Sequence, residues 1–439
     1  MAPTNRFCVV AARLHHGRSA SASHHRMRFR NKGGRQSDLI TARHREHLGV
    51  HKLGLEVLFG QTSRALQTIC CQSVTMGVRE SSLAFFCFVL LVAQVAHCQS
   101  KAAPAQFVFG DSLVDQGNNN YILSLARANF RPNGIDLPLS GYQPTGRFSN
   151  GRIIPDLISE HLGVPSVLAY LDKDAHGSNL LRGCNFASAG SGILDDTGAI
   201  FIQHITMPQQ FKDFQKVQAE IVSLVGQAAA DELFANALYS LTIGGNDYIN
   251  NYVNLGSRRA AQFPDYNDYS DLMVSTFKGQ LQELYRLGAR KMVIANIGPL
   301  GCIPSQLSQK SLDGSCVKIM NDYANSFNVR MEPMVFALQK ELPGATLLIA
   351  DSYSIVSSYV RNPQQYGFVT GNTACCGDGR FNGNIPCSII SALCKNREEY
   401  LFWDPFHPTD RANVLFSKRL LYGPTSDIRP INVDQLLKL

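Results

Sequence analysis

An α/β fold with a parallel sheet wrapped on both faces is the class this sequence predicts, and three observations carry it. Short apolar, β-branched runs recur along the chain, each ending at a turn. Longer segments between them place apolar residues at three- and four-residue steps, the helical spacing. No internal repeat or low-complexity linker interrupts residues 105–425. Strands that alternate with helices pair in parallel, because a parallel neighbour needs a crossover long enough to hold a helix. Residues 99–439 therefore read as one domain.

The N-terminal part of the 439-residue chain lies outside that pattern. Of the 41 basic and 34 acidic residues, 12 and 3 fall within residues 1–75, leaving 29 and 31 for the rest. Seven of the twelve histidines lie there too. The formal charge of +7 thus belongs to the leader, and the body lacks the basic excess that binds a phosphate backbone, so no nucleic acid partner is expected. "RLHHGRSASASHHRMRFRNKGGRQ" has neither helical nor strand periodicity, and residues 1–75 read as a disordered basic leader; an organelle transit peptide shares this Arg-rich, acid-poor composition. From Met76 the chain runs "MGVRESSLAFFCFVLLVAQVAHCQS": a polar start, an apolar run over 83–96, then small residues. That is the layout of a secretory signal peptide, 76–98, with an apolar stretch too short for an ordinary membrane span. Met76 is accordingly expected to be the natural start, with 1–75 as upstream sequence; N-terminal peptides from 1–75 on the cellular protein would refute this. No second long apolar run follows. The mature protein is expected to be secreted, extracellular or in the cell wall, without a stable membrane span.

Within the body the elements follow in order. The apolar runs "AQFVFG" (105–110), "ALYSLTIGG" (237–245), "KMVIANIG" (291–298) and "ATLLIAD" (345–351) predict buried strands, and 209–225, 269–287 and 317–342 predict amphipathic helices. "RANVLFSKRLLYG" (411–423) predicts a last helix closing at Gly423. In open parallel sheets function gathers in the loops at the carboxyl ends of strands, so the residues just past each apolar run are the candidates.

Seven cysteines follow Cys98: Cys184, Cys302, Cys316, Cys375, Cys376, Cys387 and Cys394. An odd count leaves at least one unpaired within the chain. Cys302 and Cys316 bracket a loop rich in Ser, Gln and Gly and predict a local bridge. The last four, within about 20 residues, can make two bridges of undetermined connectivity. Adjacent Cys375-Cys376 fits paired zinc spacing badly, and export favours oxidation, so disulfides are expected there and no metal. Cys184 is the candidate free thiol. No N-x-[ST] sequon occurs.

Four stretches could carry chemistry. "FVFGDSLVDQGNNN" (107–120) places Ser112 past the first strand, "NFASAGSGIL" (185–194) is glycine-rich, Gly244-Gly245-Asn246-Asp247 follows the second strand, and "FWDPFHPTD" (402–410) puts Asp404 three residues before His407. Each has a plain structural reading: Ser112 as a helix N-cap, Asn246 and Asp247 as an Asx turn, the glycines as a loop needing positive φ, His407 as a satisfied buried histidine. Together they are a set for acyl transfer. A serine hydroxyl needs a base, and histidine, with an ordinary pKa of about 6.5, suits that task. The imidazole needs a carboxylate to hold its tautomer, which Asp404 can reach. The tetrahedral intermediate needs N–H donors aimed at its oxyanion, each worth on the order of 10²–10³ in turnover.

The G-x-S-x-G elbow is absent around Ser112. Instead the four blocks, in order, resemble those of plant GDSL-type esterases/lipases of the SGNH hydrolase superfamily, and "GPLGCIP" (298–304), "ACCGDGRFNG" (374–383) and "NREEYLFWD" (396–404) are similar as well. The resemblance runs from about residue 104 to 425. It implies a three-layer α/β/α sandwich with a mainly five-stranded parallel sheet, and a carboxylic ester hydrolase without cofactor acting on a small-molecule or lipid ester. It further implies Ser112 as nucleophile and backbone oxyanion donor, Gly190 as a second backbone donor with Gly192 as its alternative, Asn246 as side-chain donor, His407 as general base and Asp404 as its orienting carboxylate. Two features depart from the family pattern: the 75-residue leader, and Cys184 where an aliphatic residue is common. An acyltransferase on the same machinery and a non-catalytic binding protein are the competing functions. Loops 129–148 and 251–268 are the expected pocket walls, the first as an acyl-pocket wall or as a surface loop packed on itself.

Overall fold

The computed structural model describes residues 103–439; the stretches expected to be a leader, 1–75, and a signal peptide, 76–98, lie outside them. The central sheet has the order β2-β1-β3-β4-β5-β8. Its strands are β1 (Gln106–Gly110), β2 (Gly183–Asn185), β3 (Leu238–Thr242), β4 (Lys291–Ala295), β5 (Thr346–Ala350) and β8 (Ile428–Arg429). The first five run parallel, and β8 closes one edge antiparallel through Ile349–Arg429 and Ala350–Ile428. This is the mainly five-stranded parallel sheet that the resemblance implies.

Side chains along a strand alternate between the two sheet faces. Phe107, Phe109, Tyr239, Leu241, Met292, Ile294, Leu347 and Ile349 point to one face. There they meet helices α2 (Met207–Val225), α3 (Gln227–Asn236), α4 (Tyr266–Arg286) and α5 (Lys318–Glu341), whose Phe211, Phe214, Phe234, Phe277 and Phe327 fill the larger core. Leu238, Val293, Leu348 and Ala350 point to the other face, against Ile158 of α1 (Ile154–His161) and Leu420 and Leu421 of α6 (Asp410–Tyr422). Strands buried on both sides are mostly apolar, which is why the sequence shows them as runs rather than as alternations. Phe107 and Phe214, with ring centroids 4.8 Å apart, join β1 to α2. Truncating either to Ala would cost about 3–5 kcal/mol.

A second, two-stranded parallel sheet pairs β6 (Thr370–Ala374) with β7 (Tyr400–Phe402). Bridges Cys375–Cys394 and Cys376–Cys387 pack around the buried indole of Trp403. Among the described residues a third bridge joins Cys302 and Cys316, and Cys184 is the free thiol, buried, both as the sequence predicts.

Candidate active site

Ser112 sits just past β1, in a turn rather than at the start of a helix, so the N-cap reading does not describe it. The turn is set by the residues before it. Gly110 has φ +145°, and a Cβ there would lie 2.1 Å from the Thr242 carbonyl oxygen, so only glycine lets β1 leave the sheet at this point. Gln210 of α2, fully buried, accepts from the Gly110 N–H at 3.0 Å and donates to the Gly110 carbonyl at 2.9 Å and the Ile205 carbonyl at 3.0 Å. One side chain thus holds both backbone groups of Gly110, two residues before the serine.

His407 and Asp404 come from the other end of the chain. Trp403 N–H donates to the His407 carbonyl at 2.7 Å, closing a tight loop after β7, and Thr409 caps α6 by accepting from Ala412 N–H. Inside this loop Asp404 Oδ1 accepts from the Phe406 and His407 backbone N–H groups, each at 2.8 Å. His407 Nδ1 lies 2.8 Å from both Asp404 oxygens, and Nε2 lies 2.7 Å from Ser112 Oγ. A carboxylate only accepts, so the proton sits on Nδ1 and the Nε2 lone pair faces the serine hydroxyl. Asp404 and His407 are each 7% exposed, low enough to keep water from competing for these bonds. Phe148 packs its ring 4.8 Å from the imidazole, and Asn133 accepts from the Trp403 indole at 2.9 Å. The 129–148 loop therefore reaches the site at its end. The 251–268 segment is tied to Asp196 by Arg259 at 2.8 Å.

Gly190 lies in the loop after β2. Its φ is +88°, and a Cβ would strike the Phe201 ring at 2.5 Å; a Cβ on Gly192 would strike Thr197 at 2.4 Å and the Asp247 carboxylate at 2.6 Å. Both glycines are thus required by close packing. Asn246 follows β3 and precedes a π-helix, Asp247–Tyr252; its Nδ2 donates to the Ser191 carbonyl at 3.0 Å, which brings it beside the Gly190 loop. Among the described residues, neither the Ser112 N–H nor the Gly190 N–H donates to another group of the chain.

The residues that tie these loops together escaped the sequence reading. Asn119 Oδ1 accepts from Ala189 N–H at 3.1 Å and from the Ser188 hydroxyl at 2.6 Å, while its Nδ2 donates to the Ala126 and Ala189 carbonyls. Asn118 Nδ2 donates to the Asn185 and Ala187 carbonyls. Asp115 accepts from Gly117, Asn118 and Ala189 N–H. Asp247, read as half of an Asx turn, accepts from Ile193 N–H, Leu194 N–H and the Thr197 hydroxyl. The available signal was the polar run Gly117–Asn120 directly behind an apolar strand. Burial pushes Asp115 and Asp247 up to about 6, against the pull of these backbone bonds, and pushes Asp111, beside the serine, up to about 7.

Disulfides brace the histidine side of the site. Cys375 N–H donates to the Phe402 carbonyl at 2.9 Å and Cys376 N–H to the Trp403 carbonyl at 2.7 Å, so both bridged cysteines grip the strand that leads into Asp404.

A family model described as GDSL-like Lipase/Acylhydrolase matches residues 107–420, from the first strand to the helix after His407. GDSL esterase/lipase At2g23540 of Arabidopsis thaliana is 44% identical over 340 residues, covering 76% of this chain and 87% of its own length. From the same plant, GDSL esterase/lipase LTL1 is 41% identical over 83% of this chain and 99% of its own length, and GDSL esterase/lipase 7 is 42% identical over 80% and 98%. A model match over most of the chain, with relatives this similar across nearly their whole length, makes the protein a member of the GDSL-like lipase/acylhydrolase family.

Proposed function

We propose that the mature chain is a secreted serine esterase that cleaves acyl or acetyl esters through an acyl-enzyme intermediate, with Ser112, His407 and Asp404 as its catalytic residues. Family membership indicates carboxylic ester hydrolase activity. The observation that carries the finer reading is the relay of contacts from Ser112 Oγ to His407 Nε2 at 2.7 Å and from Nδ1 to Asp404 at 2.8 Å. In this mechanism Oγ attacks the ester carbonyl as His407 takes its proton, and Asp404 holds the imidazolium in place. The oxyanion draws on the N–H groups of Ser112 and Gly190 and on the second amide hydrogen of Asn246. Collapse returns the proton from His407 to the departing alcohol and leaves acyl-Ser112. Water, activated by the same histidine, then releases the acid.

Three disulfides support an oxidising compartment and hence the signal-peptide reading of 76–98, with 99–439 as the mature domain and Met76 as the start. The test is hydrolysis of p-nitrophenyl esters from acetate to palmitate by secreted protein beginning near Gln99, beside Ser112→Ala. Activity abolished by the substitution supports the reading and shows the acyl length accepted. Activity that survives in a folded Ser112→Ala would overturn it.

A further inference from the structure

The Asn246 amide has two faces, one that donates and one that accepts, and a half-turn of the group exchanges them. Its surroundings remove that freedom. The Ser191 carbonyl, 3.0 Å away, can only accept, so Nδ2 must face it. The oxygen then points to Asn250, whose Nδ2 donates to Asn246 Oδ1 at 2.6 Å. Asn250 lies four residues on, in the turn that Asn246 opens, and its own carbonyl accepts from Asn254 Nδ2 at 2.5 Å. Beneath this turn Tyr269 donates to the Asp247 carbonyl at 3.0 Å, and Tyr248 shares a 2.6 Å hydrogen bond with Ser270, so the backbone carrying both asparagines is anchored to α4. With one amide hydrogen on Ser191 and the oxygen on Asn250, the second amide hydrogen of Asn246 is the group left for an incoming acceptor.

We propose that Asn250 is a positioning residue for ester cleavage: it locks the Asn246 amide in the orientation that offers an N–H to the oxyanion. The inference rests on the reading of Asn246 as an oxyanion donor. Without Asn250 the amide oxygen has no donor, and the Ser191 carbonyl alone is left to oppose a turn that would set that oxygen towards the developing negative charge. The effect belongs to the transition state, because a ground-state carbonyl oxygen carries little of that charge.

The experiment compares Asn246→Ala, Asn250→Asp and the double variant on p-nitrophenyl butyrate, reading kcat and KM separately. Asn246→Ala should lower kcat by about 10²–10³, the usual worth of one oxyanion donor. Asn250→Asp keeps the shape but sets a carboxylate against the Asn246 oxygen; kcat should fall by at least about tenfold with KM nearly unchanged, as for an interaction made only in the transition state. The double variant should be no slower than Asn246→Ala alone, because Asn250 acts through Asn246. Losses that multiply in the double variant, or an Asn250→Asp enzyme with wild-type kcat, would overturn the proposal while leaving the oxyanion role of Asn246 intact. A harmless Asn246→Ala would overturn both, and that is read from the single variant. If the added charge prevents secretion, Asn250→Ala carries the same comparison through loss of the donor.

Discussion

Asp404→Asn changes the histidine tautomer and removes the charge beside the imidazolium while keeping the shape of the side chain. Asp404 Oδ1 accepts from two backbone N–H groups at 2.8 Å, and both carboxylate oxygens lie 2.8 Å from His407 Nδ1. Asparagine fills the same volume, and its oxygen can keep both backbone bonds, so the loop should survive. Its NH₂ then stands where Oδ2 was. An N–H on Nδ1 would still reach the amide oxygen but would face this NH₂ at 2.8 Å, so the balance shifts to the tautomer with Nδ1 bare and the proton on Nε2. Nε2, 2.7 Å from Ser112 Oγ, then presents an N–H where the mechanism needs a lone pair. The same inversion in a serine protease lowers kcat by about 10⁴, equivalent to roughly 5.5 kcal/mol of transition-state stabilisation. The assay is steady-state hydrolysis of p-nitrophenyl butyrate beside a thermal melt. The expected outcome is a kcat lower by about 10⁴ with KM and Tm close to wild type. A folded variant retaining kcat within about tenfold of wild type would refute the reasoning, because a wrong tautomer cannot sustain that rate.

Two further outcomes concern stability. Opening the Cys302–Cys316 bridge by replacing both cysteines with serine removes a constraint across a separation of 14 residues, worth about 3 kcal/mol in the unfolded chain, and should lower Tm by several degrees; an unchanged melt would show that the bridge adds nothing. Burial raises Asp111 to about 7 and Asp115 and Asp247 to about 6, so the folded chain keeps protons that the unfolded chain releases near 3.8; their contribution is full below that value and is lost as pH rises through 6–7. Tm should therefore fall from about pH 5 to about pH 8, less steeply in Asp111→Asn, and an equal slope in that variant would count against the protonated carboxyl.

The parts of the fold legible in the sequence are those whose burial is two-sided. β1, β3, β4 and β5 fall inside the predicted runs, and the helices Met207–Val225, Tyr266–Arg286, Lys318–Glu341 and Asp410–Tyr422 fall within one to three residues of the predicted bounds. β2 was not legible: Gly183–Asn185 is three residues with no β-branched side chain, and it is a strand because β1 pairs with it. Nor were β6, whose "TGNTA" reads as a turn, or the two-residue β8. In the site, Ser112 and Asn246 stood out because they follow predicted strands, and Gly190, Asp404 and His407 because their stretches resemble the family's blocks. Gln210 and Phe148 did not, since a glutamine on an amphipathic helix and an aromatic in a loop carry no local mark. Gln210 acts on a residue 100 positions away.

That distance reflects how loops at the end of a parallel sheet must be held. Past the last ladder bond the backbone has lost its sheet partners, yet the loops at Gly110, Ala187–Ala189 and Ile193–Leu194 are buried. Each buried N–H or carbonyl left unpaired would cost about 1–3 kcal/mol. Apolar packing cannot supply those partners, and water is excluded. Side-chain amides and carboxylates can, two or three backbone groups at a time. Asn119 serves Ala126 and Ala189, Asp247 serves Ile193 and Leu194, and Gln210 serves Gly110 and Ile205. Bonds of this kind fix position as well as energy, because shortening one partner by a single methylene moves the acceptor out of reach. Reacting groups displaced by about 1 Å lose on the order of 10²-fold in rate. The asparagines behind Ser112 are therefore residues that hold the Gly190 loop in register with the serine.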